Sequence, residues 1–196
     1  MSELSNKTKI LKVAADLFSR KGYNGVSIND ICQESGITKP TLYYYFKSKR
    51  DLYEKLLKEA KKLFVSYVKL ALREDFSFIE RYEKLLIEIL RFIDENPSYI
   101  RFIFRMVFSK FLEDMMCDEK DYKKFRFYNN LLTDLKVAQK NGEIRHDLDP
   151  EVLAIFFAGS FDFIMIHKVL NSGIVKDNEE ITKKIINFLK PLLTGK

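Results

Sequence analysis

The chain has 196 residues, 46% of them hydrophobic and 32% charged, with two cysteines and a net charge of +6. That balance describes a folded globular protein and excludes a disordered chain and a disulfide-built scaffold. No apolar run reaches the roughly 18 residues a membrane span needs, and the N-terminal MSELSNKTK lacks the apolar stretch of a signal peptide, so a cytoplasmic protein without membrane contact is expected.

Proline and glycine are scarce, at 4 and 7 residues, and apolar residues recur at helical spacing almost everywhere, which predicts an all-α fold of about nine helices. The first helix is expected from about Ser5 to Lys21, with Ile10, Ala14, Leu17 and Phe18 on one face. Gly22 suits its C-terminal stop. Ser27 then caps a second helix, and Asp30 stands where a capping box would return the hydrogen bond. Ile28, Ile31 and Cys32 face inward, Gly36 makes a turn, and Ile37 fills the core beneath it. The third helix starts at Thr38 or Lys39, with Pro40 in its first turn, where a missing N–H costs nothing. Leu42 and Phe46, four residues apart, anchor it. Ser48 caps the fourth helix, with Asp51 at its capping-box position, and that helix extends towards Leu72. Further helices are expected near 76–95, 98–112, 119–141, 150–171 and 178–193, separated at Pro97, Asn141–Gly142, Pro150 and Ser172–Gly173.

Charge and aromatic residues are unevenly spread. Residues 1–62 hold 13 Lys and Arg against 7 Asp and Glu, so the whole surplus of 6 lies there. A basic first third with a helix–turn–helix pattern points to a polyanion partner. Of 17 phenylalanines only Phe18 and Phe46 fall in that stretch. Tyr43, Tyr44 and Tyr45 follow one another on the third helix. Successive side chains on a helix are about 100° apart, so the three cannot share one core, and Tyr44 is expected furthest from it.

Residues 10–57 resemble the DNA-binding domain of the tetracycline-repressor (TetR) family. The resemblance rests on Lys21-Gly22-Tyr23, Ser27-Ile28, Asp30-Ile31, Ser35-Gly36-Ile37, Thr41-Leu42-Tyr43, Tyr45-Phe46 and Ser48-Lys49. The later phrase GEIRHDLDPEVLA is similar to that family's lead-in to its dimerisation helices. Most members carry glycine at the position of Pro40, which implies an altered sequence preference here. The resemblance implies a helix–turn–helix DNA-binding domain of three helices over 1–50 and a larger helical effector-binding and dimerisation domain over 51–196. The function it implies is a homodimeric transcriptional regulator, a repressor released from a palindromic double-stranded operator by a small effector.

On that reading the N-terminal end of the third helix meets base edges and its flanks meet phosphates. Lys39 can donate to guanine and Thr41 to a base or phosphate, while Pro40 can touch a thymine methyl. Tyr44 points outward with Lys39, Pro40 and Thr41, Thr38 stands at the helix start as a further DNA-binding candidate, and Tyr43 and Tyr45 reach phosphate oxygens or thymine methyls. Lys49, with the first amides of the fourth helix, would grip a phosphate. Ser27 and Asn29 occupy the matching end of the second helix. The dimer is expected through residues 150–193. There helix 150–171 is apolar nearly all round, Gly159 and Ser160 permit close approach, and Ile181, Ile185, Phe188 and Leu189 form one face. For the effector, Phe102, Met106, Phe157, Phe161 and Ile164 are candidate lining, and Arg101, Arg105 and His167 candidate polar contacts, which favours a hydrophobic or amphipathic molecule. Core packing is the competing role for each of these aromatics, and a satisfied interface histidine for His167.

No enzyme is expected. The chain carries only His146 and His167, and the patterns G-x-S-x-G, H-E-x-x-H and the P-loop are missing. The single E-x-x-H, Glu143 to His146, falls in a predicted turn. Cys32 and Cys117 lack metal-site spacing, so neither metal nor cofactor is expected. The alternative class is a helical lipid carrier or interaction module, which would account for the phenylalanine-rich part but not for residues 27–49.

Overall fold

The computed structural model describes residues 3–69, 71, 76–115, 126–170 and 176–195. Among these there are nine helices and no strand: α1 (Glu3–Lys21), α2 (Ile28–Ser35), α3 (Lys39–Tyr45), α4 (Lys49–Val68), α5 (Phe78–Glu95), α6 (Pro97–Met115), α7 (Arg126–Lys140), α8 (Pro150–Val169) and α9 (Asn178–Thr194). The chain is all-α, as its periodicity predicts. The expected break at Ser172–Gly173, the expected start of the 119–141 helix and Cys117 lie outside the described residues.

The helix ends follow from local chemistry. The hydroxyl of Ser27 accepts from the Asp30 amide, and the Asp30 carboxylate accepts from the Ser27 amide and hydroxyl, so both halves of the capping box form. Gly36 ends α2 at φ 62°, a left-handed conformation that favours glycine. Thr38, and not Lys39, caps α3, because the Thr38 hydroxyl accepts from the Thr41 amide and Pro40 fits the first turn. At α4 only half a box forms: the Ser48 hydroxyl accepts from the Asp51 amide, but the Asp51 carboxylate accepts from the Lys47 amide. Pro97 is the first residue of α6 and Pro150 the first of α8, where Asp149 caps.

Compactness groups the residues into two units. One comprises residues 1–65 and 96–117, and the other residues 66–95 and 118–196. In the first unit α1 packs against α2, α3 and α6. Ile10, Ala14, Leu17, Ile31, Leu42 and Phe46 are fully buried there, each large side chain contributing about 1.5–3 kcal/mol by leaving water. Phe18 joins an aromatic cluster with Tyr23, Tyr53 and Phe102 at centroid separations of 5.1–6.3 Å. In the second unit α5 packs on α7, α8 and α9, and α7 packs on α8. Its centre holds Phe78, Tyr82 and Phe157, with Phe157 edge-on to Tyr82 at 4.6 Å.

Candidate nucleic-acid interface

The α2–turn–α3 segment is set by what it buries. Leu42 of α3 and Phe46 at its C-terminal cap are completely shielded, so the rest of that short helix is turned away from the core by its geometry. Lys39 and Pro40 are exposed and Thr41 is half-buried. Tyr43 is 50% and Tyr44 73% exposed, whereas Tyr45 is half-buried. Tyr44 and Tyr45 meet edge to face at 5.1 Å, which gives the outer ring a lateral support. The hydroxyls of Thr38 and Thr41 lie 2.9 Å apart beside the helix start. An exposed face with two phenols, an ammonium and a hydroxyl pair at its N-terminal end matches what a recognition helix needs at base edges and phosphates.

The second helix contributes less. The Ser27 hydroxyl is engaged in the capping box, while Asn29 is exposed at the same end. Hydrogen bonds from the Ser27 amide and hydroxyl hold the Asp30 carboxyl below its usual range. The Asp51 carboxyl is likewise lowered, first by the Lys55 ammonium and then by the Lys47 amide. Both acids fasten helix starts, one at each side of α3.

Lys49 has a role that local pattern does not show. Its Nζ donates to the carbonyls of Tyr23 and Val26, each at 2.9 Å, and lies 4.3 Å from the centre of the Tyr23 ring. In the free protein it therefore clamps the α1–α2 connection, and reaching a phosphate would require those bonds to yield. Arg105 does similar work on the other side of that turn. Its Nη1 donates to the Ser19 and Arg20 carbonyls at 3.1 and 3.2 Å, satisfying orphan acceptors at the end of α1.

The eight candidate effector contacts divide between the units. Arg101 pairs with Asp16 at 3.9 Å, Phe102 is buried in the aromatic cluster, and Arg105 and Met106 line a cleft of about 330 Å³ with α1 and α4, all in the first unit. Phe157, Phe161 and Ile164 are buried in the second unit, and His167 is half-buried, its ring 4.2 Å from that of Phe163. Burial raises the Tyr82 phenol, whose oxygen lies 3.4 Å from the Ser160 hydroxyl.

The second unit also presents apolar surface. Val152, Ile155, Phe156 and Phe163 of α8, and Phe188 and Leu192 of α9, are each about half exposed or more. A groove between these helices is walled by Phe156, Ile164, Ile185 and Phe188. A Cβ at Gly159 would meet nothing within 4 Å. Among the described residues no cluster of His, Cys, Asp and Glu could hold a metal ion.

Residues 10–56 match the family model for bacterial regulatory proteins of the tetR family. Over 199 aligned positions the chain is 24% identical to YdgC of Bacillus subtilis (strain 168), an uncharacterized HTH-type transcriptional regulator, covering 95% of this chain and 91% of that one. It is 46% identical over 52 residues to IcaR of Staphylococcus aureus (strain Newman), a negative transcriptional regulator of the biofilm operon icaADBC. That match covers 26% of this chain and 28% of IcaR. The fold is similar to a TetR-like transcriptional regulator from Rhodococcus sp. RHA1, with TM-score 0.71 at 19% identity over 95% of this chain and 96% of the other.

Proposed function

We propose, from the match of residues 10–56 to the tetR family of bacterial regulatory proteins, that the chain is a DNA-binding transcriptional regulator of that family and acts as a homodimeric repressor on a palindromic operator in the cytoplasm. Residues 1–50 carry DNA binding, and residues 51–196 carry effector binding and dimerisation. The observation that carries the reading is the two-sided α3 segment, with Leu42 and the cap residue Phe46 fully buried and Tyr43 and Tyr44 exposed. Lys39, Pro40, Thr41 and Tyr44 meet base edges, and Thr38, Tyr43 and Tyr45 the flanking backbone. Ser27, Asn29 and the first amides of α4 meet phosphate, with Lys49 holding the α1–α2 turn in register beside them.

One such module reads too few base pairs for useful specificity, and a second copy doubles the site. The exposed apolar faces of α8 and α9 support a dimer through residues 150–193, since a monomer seldom exposes so much contiguous apolar surface. A small hydrophobic or amphipathic effector would favour a state in which the two recognition helices no longer match the operator, lowering affinity by differential binding. Two residue sets are carried forward as effector contacts: Arg101, Phe102, Arg105 and Met106 in the first unit, and Phe157, Phe161, Ile164 and His167 in the second. In vitro selection from random duplex DNA tests the proposal. Enrichment of an inverted repeat is expected; recovery of no repeat, or of a single half-site, counts against a dimeric reader.

A further inference from the structure

The first unit contains a cleft whose chemistry is more specific than apolar packing requires. Its floor is aromatic: Phe18 and Phe102 are almost fully buried and Tyr53 is half-buried beside them. Its rim is polar and exposed, formed by Lys21, Asn24 and Arg105. Met106 closes one wall with an adaptable thioether. Among the described residues that line it, two are cationic and none is acidic. At about 330 Å³ it stands at the low end of the roughly 300–1,000 Å³ usual for small-molecule sites.

We propose that this cleft binds a small planar aromatic carboxylate, with its ring on the Phe18–Tyr53–Phe102 floor and its carboxylate between Lys21 and Arg105. Three features favour that ligand class. Aromatic rings stack or meet edge to face, and the floor already uses the edge-to-face geometry, with Tyr53 edge-on to Phe18 and to Phe102 at 5.2 Å. The Arg105 guanidinium uses Nη1 on the Ser19 and Arg20 carbonyls, and its planar fork has further N–H donors suited to a carboxylate. The carbonyl end of α1 would repel an anion, but Arg105 stands on those carbonyls and offsets them. Asn24 adds an amide at the rim. The backbone at Gly22, φ 72°, brings Arg105 close: a Cβ there would lie 3.1 Å from its Nη2.

The inference names a ligand class for the effector proposed above and extends its site from the α6 contacts onto Phe18, Lys21 and Asn24 of the DNA-binding segment; it rests on that reading only for its regulatory consequence. Calorimetric titration of the full chain with sodium 1-naphthoate tests it, with 1-naphthylmethanol as the uncharged control. Naphthoate is expected to bind more tightly than the alcohol. Lys21→Ala, which removes a charge-assisted contact, and Met106→Trp, which fills the space, should each weaken it about tenfold or more. Lys136→Ala, on the exposed face of α7 in the second unit, should leave it unchanged. Binding equal in wild type, Lys21→Ala and Met106→Trp would overturn the site, as would no binding at millimolar naphthoate. Operator affinity measured on the same samples separates the two claims. Release by other compounds without naphthoate binding removes the cleft alone, while naphthoate uptake without operator release removes the effector role and leaves the site.

Discussion

Replacing Lys49 by alanine separates a structural clamp from a phosphate contact. The side chain makes two hydrogen bonds to backbone carbonyls, each 2.9 Å, and a cation–π contact at 4.3 Å with Tyr23. A charged hydrogen bond contributes about 1.5–3 kcal/mol where water is excluded. Lys49 is only half-buried, so about half of that survives for each bond, and the cation–π contact adds about 0.5–1 kcal/mol. The total lost is about 2–4 kcal/mol, which at roughly 2–4 °C per kcal/mol for a chain of this size lowers Tm by about 4–16 °C. Thermal unfolding followed by circular dichroism reads that shift. Operator binding across a salt series supplies the second readout. A residue that does not touch phosphate leaves the slope of log K against log salt unchanged, whereas each lost phosphate contact lowers it by about 0.9. An unchanged Tm with a shallower salt slope would refute the clamp and return Lys49 to the DNA backbone.

Phe157→Ala removes a ring that is 1% exposed and lies between Phe78 and Tyr82; urea unfolding should show a loss of about 3–5 kcal/mol. Phe188→Glu places a charge on an exposed apolar face, so sedimentation equilibrium should show a monomer with unchanged helicity; a persisting dimer would place the interface elsewhere. Acid stability follows from Asp30 and Asp51, whose folded pKa values lie below the unfolded value near 3.8. Groups shifted this way stabilise the fold fully above the unfolded pKa and lose that contribution as pH falls through the folded one. The fold should therefore weaken below about pH 4, and Asp30→Asn should flatten that decline; an acid limb identical to wild type would contradict the capping account.

The parts of this molecule that were legible in sequence are those governed by neighbours along the chain. Ser27 with Asp30, Gly36 before Ile37, and Pro40 after Thr38 each specify a helix end within four residues. Leu42 and Phe46 fix the inward face of α3, and the exposure of Tyr44 follows from helical geometry alone. Contacts across long stretches of chain were not legible. Lys49 reaches back 26 and 23 residues to its carbonyls, and Arg105 reaches 86 and 85. A long flexible side chain carries no local signal of its target. The grouping of α6 with α1 was equally hidden, because Tyr99, Ile100, Phe102 and their neighbours are apolar nearly all round the helix, and periodicity then names no partner. Composition could suggest that the aromatics of α6 line a pocket, but not that the cleft they border is closed by Phe18, Lys21 and Tyr53.

The central claim is that the exposed face of α3 reads DNA as one half of a symmetric pair. Fluorescence anisotropy with the selected inverted repeat, its single half-site and the Tyr44→Ala chain tests it most directly. Tyr44 is 73% exposed, so its removal should move stability by less than about 0.5 kcal/mol. The account predicts that two chains bind each repeat, that the half-site binds far more weakly, and that Tyr44→Ala lowers affinity for the repeat about tenfold or more with Tm unchanged. Equal affinity of Tyr44→Ala and wild type for the repeat would contradict it.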